Sequence, residues 1–274
     1  MQHEDIEGFK SLLISDEKDI DNDDDEYWEK KLPDGYQHYI EMSDKPLNHT
    51  TKKELYFLLC EGFLADNGHL WLSLCKSTGM ICSMLSATDI LTSRYKRVDT
   101  LPKSKNRFTE VAEVSNSSGG LSFTCQIQSH MFSPQYAYAC YLVFKFENHD
   151  MRPNKSYMFR AYYELDDIQQ DSCLVDLKHR TEMDIPTINP KYGSHDTSYI
   201  PRTEALSLRK CHIEHGLFCW AEQREDGLMD EVMVCKPLQG LEHHTTLNVK
   251  LLGDSDRLGG MIVEGVEFRP YLNF

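Results

Sequence analysis

The chain has 274 residues, with 29 Lys plus Arg against 44 Asp plus Glu, for a formal net charge of −15. That balance argues against the basic footprint of a non-specific nucleic-acid binder and against a chain held to anionic lipid by charge. Hydrophobic residues make up 40%, enough for a packed core, but no apolar run nears the roughly 18 residues needed to span a bilayer.

The N-terminal stretch MQHEDIEGFKSLLISDEKD is acidic and lacks the basic and apolar regions of a secretory signal. Residues 15–26 hold eight acids and one Lys, so residues 1–26 are expected to form an acidic disordered linker. Nine cysteines are scattered along the chain, several inside apolar runs such as ICSML and AYACYLVF. A reduced protein of the cytoplasm or nucleus is expected, where the sequons at Asn48, Asn116 and Asn154 would not be glycosylated.

Residues 27–68 read as a helical extension. Pro33 stands at a helix start, and Thr51-Lys52-Lys53-Glu54 has the form of a capping box. Leu55, Leu58, Leu59 and Phe63 follow at helical spacing as a packing face, and Asp66-Asn67-Gly68 turns the chain.

From Leu70 the texture becomes that of short strands: LWLSL (70–74), MICSML (80–85), RFTEVAEV (107–114), LSFTCQI (121–127) and YAYACYLVFKF (136–146). YMFRAYY, GLFCW, EVMV, TLNVKLL and MIVEGVEF continue the series to residue 268, with Gly- and Ser-rich turns between. The pattern predicts an all-β fold, an antiparallel β-sandwich or jelly roll over residues 69–274. Imperfect alternation in RFTEVAEV predicts a bulge there. The 136–146 strand is apolar on both faces, hence central. In the last strand Ile262, Glu264, Val266 and Phe268 are assigned to one face, and Val263, Gly265 and Glu267 to the other. Residues 147–205 are the least regular part, and their polar stretches at 166–171 and 189–197 read as long loops.

No nucleophile elbow, dinucleotide fingerprint, phosphate loop or kinase signature occurs, so no catalytic site is nominated. Cys75-Lys76-Ser77-Thr78-Gly79 reads as a hairpin turn. Cys211, His212, His215 and Cys219 match no standard zinc spacing and read as a polar loop, and no metal or cofactor is expected. Trp71 and Trp220 lie in strands and read as core residues.

Five blocks carry a resemblance: LWLSLCKSTGMICSMLSATDIL, RFTEVAEV, SPQYAYACYLVFKF, REDG and GGMIVEGVEFRP, in that order from His69 to Pro270. Together they resemble plant phloem-protein-2-like domains, which are related to the tobacco jasmonate-inducible lectin. The resemblance implies a jelly-roll sandwich, a nucleocytoplasmic location, and binding of N-acetylglucosamine oligomers or high-mannose N-glycans by some members; with no catalytic site nominated, no enzyme activity is expected. Carried over residue by residue, it nominates Tyr95, Lys96, Asp230 and Arg257 as ligand-binding positions. Tyr95 keeps an aromatic, Lys96 stands in place of a binding Trp, Asp230 in place of a Glu, and Arg257-Leu258 in place of a Trp-Lys pair.

Residues 23–68 are also similar to the segment that joins a kinase-like domain to such a lectin-like domain in some daisy-family proteins, and they show no convincing F-box. That implies a stand-alone copy or the C-terminal part of such a fusion. The expected partners are a glycan or glycoprotein, protein partners through the acidic and helical extension, and a second copy in a homodimer. A protein-interaction domain that kept the fold and lost the sugar site stays open beside the lectin.

Overall fold

The structure, a computed structural model, describes residues 24–270 except 77, 101–105, 116–119, 129–130, 133–136, 147–157, 178–186, 189–194, 197–217, 221, 224–229, 239–243 and 253–257. The helices among the described residues are α1 (Asp25–Glu29), α2 (Tyr36–Met42), α3 (Lys52–Glu61) and α4 (Ala87–Ile90). The first nine strands are β1 (Phe63–Ala65), β2 (Leu70–Leu74), β3 (Ile81–Ser86), β4 (Tyr95–Asp99), β5 (Glu110–Val114), β6 (Leu121–Gln128), β7 (Tyr138–Phe146), β8 (Met158–Leu165) and β9 (Ile168–Asp176). They are followed by β10 (Thr187–Ile188), β11 (His195–Asp196), β12 (Phe218–Trp220), β13 (Glu222–Gln223), β14 (Asp230–Leu238), β15 (His244–Leu252) and β16 (Met261–Pro270).

Two sheets face each other across one core. The larger runs β1-β2-β3-β16-β7-β14-β13, with β5 on β16 and β4 on β5; the smaller runs β12-β9-β8-β15-β6. Pairing is antiparallel throughout except β12 on β9, and β10 and β11 form a separate two-stranded pair. The fold is therefore the expected antiparallel β-sandwich. Leu121, Phe123, Cys125 and Ile127 of β6, with Phe159 and Leu247 of its own sheet, meet Tyr138, Leu142, Phe144 and Val263 of the other. Strand β7 lies between β16 and β14, the central position its two apolar faces demand.

The helical segment is part of this core. Asp24 caps α1 by accepting from the Glu26 N–H at 3.0 Å. It orients Trp28, 1% exposed, against Tyr56 and Phe57 at centroid distances of 5.1 and 5.4 Å. Leu32, Tyr36, Tyr39, Leu55 and Leu59 join the same apolar cluster as the sheets. The capping box at α3 is built with one change: Thr51 Oγ1 accepts from Glu54 N–H at 3.2 Å, while Glu54 accepts from the backbone of Thr50 at 2.7 Å. Phe63 does not extend the helical face. Gly62, at φ +82°, ends α3, and Phe63 opens β1, which pairs with β2 across the expected 68/69 boundary.

Several elements differ from expectation. Strand β5 pairs with β4 and β16 without a register shift; the bulge lies in β16, between Val263 and Gly265. The extra residue, Glu264, reverses the alternation. Met261 and Val263 before it, and Val266 and Phe268 after it, all enter the core. The two faces assigned to β16 from sequence are thus corrected. Gly265 is required beside the bulge, because a Cβ there would sit 2.1 Å from the Leu85 carbonyl oxygen.

The polar stretch 166–171 is a two-residue hairpin turn followed by β9. Asp166 and Asp167 take φ +49° and +63°, both in the left-handed region that short polar side chains tolerate, and Leu165 pairs with Ile168. The turn after β2 is the hairpin expected, with Gly79 N–H donating to Cys75 O at 2.8 Å.

Candidate functional site

The nominated positions begin where β3 leaves the sheet. Ser86 ends the strand and heads α4, with its hydroxyl 3.0 Å from that of Thr88. Asp89 holds His69 Nδ1 at 2.7 Å, and that hydrogen bond first, then the carboxylate charge, raises the imidazole above its ordinary pKa. The chain then drops into β4. Tyr95 is half-buried against the core, and its hydroxyl donates to the Thr88 carbonyl at 2.7 Å. This tyrosine therefore braces the β3–β4 connection.

Lys96 points to solvent, 75% exposed, 3.8 Å from Glu113 on β5. Arg97 donates to Glu110 at 3.1 Å. Asp230 opens β14 in register with Phe144; the row continues through Val263 and Ala112 to Arg97. Four strand spacings, about 19 Å along the sheet, separate its backbone from β4. Tyr95 and Lys96 are thus adjacent, whereas Asp230 lies across the sheet from them. Arg257 lies outside the described residues.

A concavity of about 330 Å³ opens beside the C-terminal end of β6. Its floor is apolar: Met42 from α2, Leu70, Leu85 and Met131. Its rim is polar: Asp66 from the β1–β2 turn, with Gln126 and Gln128, the exposed alternate positions of β6. Sequence alternation in LSFTCQIQ marks both glutamines as outward-facing; only the fold shows that they overlook this cleft. A second, broader groove of about 810 Å³ runs along α3, where half-buried Phe57 and Leu58 lie among Asn48, Lys53, Glu54 and Glu61.

Trp71 belongs to neither. It is half-buried on the outer face of the larger sheet, its indole lying over Gly62 and packed with Met84, Phe108 and Val143. The side chain of Trp220 is not among the described residues, nor are Cys211, His212 and His215. Among the described residues no three His, Cys, Asp or Glu side chains gather as metal ligands, and no helix is long and apolar enough to cross a membrane.

The family model for phloem protein 2 matches residues 80–270. F-box protein PP2-B5 of Arabidopsis thaliana is 33% identical over 150 residues, covering 52% of this chain and 50% of its own. F-box protein PP2-B15 of the same plant is 34% identical over 139 residues, 49% of this chain and 48% of its own. The alignment thus spans about half the length of these two relatives. F-box protein VBF, also from Arabidopsis thaliana, is 25% identical over 273 residues, 96% of this chain and 93% of its own.

Proposed function

Because the chain belongs to the phloem protein 2 family, we propose that it is a non-enzymatic, lectin-like recognition module that binds glycans in the cleft beside β6. One observation carries this reading: an apolar floor of Leu70, Leu85 and Met131 beneath a rim of two amides and a carboxylate. A pyranose presents the complementary surface, a C–H face for the floor and hydroxyls for Gln126, Gln128 and Asp66. N-acetylglucosamine oligomers and N-glycans are the ligand class, and the cytoplasm and nucleus the location we propose.

The test is a glycan array on the full chain, with chitin oligomers and high-mannose glycans, repeated for Gln126→Ala/Gln128→Ala and for Tyr95→Ala. Loss of two amide hydrogen bonds of about 1 kcal/mol each weakens binding at the cleft by roughly tenfold or more. Binding that the glutamine pair leaves intact and Tyr95→Ala abolishes would move the site to β4.

A blank array from folded protein would favour a second reading, recognition of a protein partner. Two observations support it: the relatives are named F-box proteins, and the α3 groove presents Phe57 and Leu58 between charged side chains. A pull-down with the full chain and with Phe57→Glu would test that surface.

A further inference from the structure

The closed end of the β2–β3 hairpin brings two thiols together. The register sets Ser73 opposite Cys82, and Cys75 extends the ladder by donating its N–H to Met80 O at 2.8 Å. Side chains alternate along each strand. Cys75 and Cys82 therefore project from the same outer face, as diagonal neighbours on adjacent strands. Their side chains are in hydrogen-bond contact. Neither is in a disulfide; Cys75 is half-exposed and Cys82 buried.

We propose that Cys75 and Cys82 form a peroxide-responsive pair that closes to an intramolecular disulfide. The division of labour follows from their surroundings. Cys75 is within reach of solvent. The Cys75 contact first, then burial, raises the Cys82 thiol above its ordinary value, so Cys82 keeps its proton while Cys75, at the surface, is the side chain that meets peroxide.

In the first step the Cys75 thiolate attacks one oxygen of hydrogen peroxide. The O–O bond breaks, and the departing hydroxide takes a proton to become water, leaving a sulfenic acid on Cys75. In the second, the Cys82 sulfur attacks Cys75 Sγ. The S–O bond breaks, and the leaving hydroxide carries off the Cys82 proton as a second water. Two thiols lose two electrons in all, and one peroxide is reduced to two waters.

Diagonal neighbours lie about 7–8 Å apart at Cα, just past the usual disulfide range, so closure requires the backbone to move. Cys75 stands past the end of β2, so closure bends the turn that ends at Gly79, φ +67°, at the expense of the Cys75 N–H to Met80 O bond, and leaves the β2–β3 pairs from Leu70 to Leu74 in place. Cys60, at the end of α3, is electrostatically coupled to Cys75 and is a competitor among the described residues. Burial pushes its thiol up to about 11, which keeps it protonated and slow.

The experiment treats the full, reduced chain with hydrogen peroxide, blocks the remaining thiols by alkylation and maps the tryptic peptides. Trypsin cuts after Lys76, so the disulfide joins two otherwise separate peptides, with a loss of about 2 Da that dithiothreitol reverses. Cys75→Ser removes the link. Cys82→Ser leaves the sulfenic acid without its resolving thiol, and dimedone labels Cys75. A Cys60–Cys75 link, oxidation spread evenly over the nine cysteines, or no link in the wild-type chain overturns the proposal; should Cys82→Ser not fold, the wild-type map decides alone.

Discussion

Glu264 gives the sharpest test of how this sandwich is held. Its side chain is 1% exposed at the bulge of β16, and Arg107, itself 15% exposed, reaches it from 157 residues earlier. The guanidinium Nη1 donates to Oε2 at 3.2 Å, and the backbone N–H of Arg107 donates to Oε1. Arg107→Ala removes the charge and keeps the backbone donor. Breaking a buried pair from one side costs about 3–5 kcal/mol, since the surviving charge is stranded. The retained N–H places this variant at the lower end, about 3 kcal/mol, or roughly 6–12 °C in melting temperature for a chain of this size. Thermal and urea unfolding read it directly. Adding Glu264→Gln in the same background neutralises the stranded charge, keeps an acceptor for the Arg107 N–H, and is expected to recover about half of the loss. A single variant melting within about 2 °C of wild type would refute the reasoning. So would a double variant no better than the single.

Gly62→Ala forces a Cβ at φ +82° to within 2.5 Å of the Trp71 indole, so urea unfolding should show a loss of about 2–3 kcal/mol and an altered tryptophan emission. His69, raised above its ordinary 6.5 by Asp89, contributes stability that is full below the unfolded value and lost as pH rises through the folded one. Its NMR titration should therefore lie above 6.5 and fall back in Asp89→Asn, with only a small change in melting because the ring is 57% exposed. Tyr95→Phe removes the hydrogen bond to Thr88 O and should cost about 1 kcal/mol in thermal unfolding, while leaving glycan binding at the β6 cleft unchanged.

Strand alternation carried most of the fold. LWLSL is β2 residue for residue, because Leu70, Leu72 and Leu74 bury while Trp71 and Ser73 alternate outward. What escaped were places where one residue's backbone angle decides the outcome. Asp166-Asp167 has the composition of a loop, yet two positive φ values make it a tight turn and place β9 where a loop was expected. At Glu264 a single inserted residue swaps the faces of β16, and no periodicity in MIVEGVEF announces it. Strand β4 was invisible because YKRVD is polar; only Tyr95 and Val98 are partly covered. The site suffered from distance more than from composition. Adjacent Tyr95 and Lys96 could be paired from their neighbourhood, but the span to Asp230 depends on β5, β16 and β7 lying between. Met42 and Gln128 meet in one cleft only after the sheets close.

The apolar cluster shared by α1–α3 and the two sheets sets a rule for cutting and splicing this chain. Residues 80–270, the stretch that matches the family, would leave behind β1, β2 and Trp28, and with them the cover over Leu121 and Phe268's common core. Even a fragment begun at residue 69, which keeps β2 but loses α1–α3 and β1, would expose part of that surface and is expected to aggregate. Transplanted into another protein, the unit must carry Asp24 with it. The same continuity ties α3 to the cleft, since Gly62 joins the helix to β1 and β1 pairs with β2, whose Leu70 forms part of the floor.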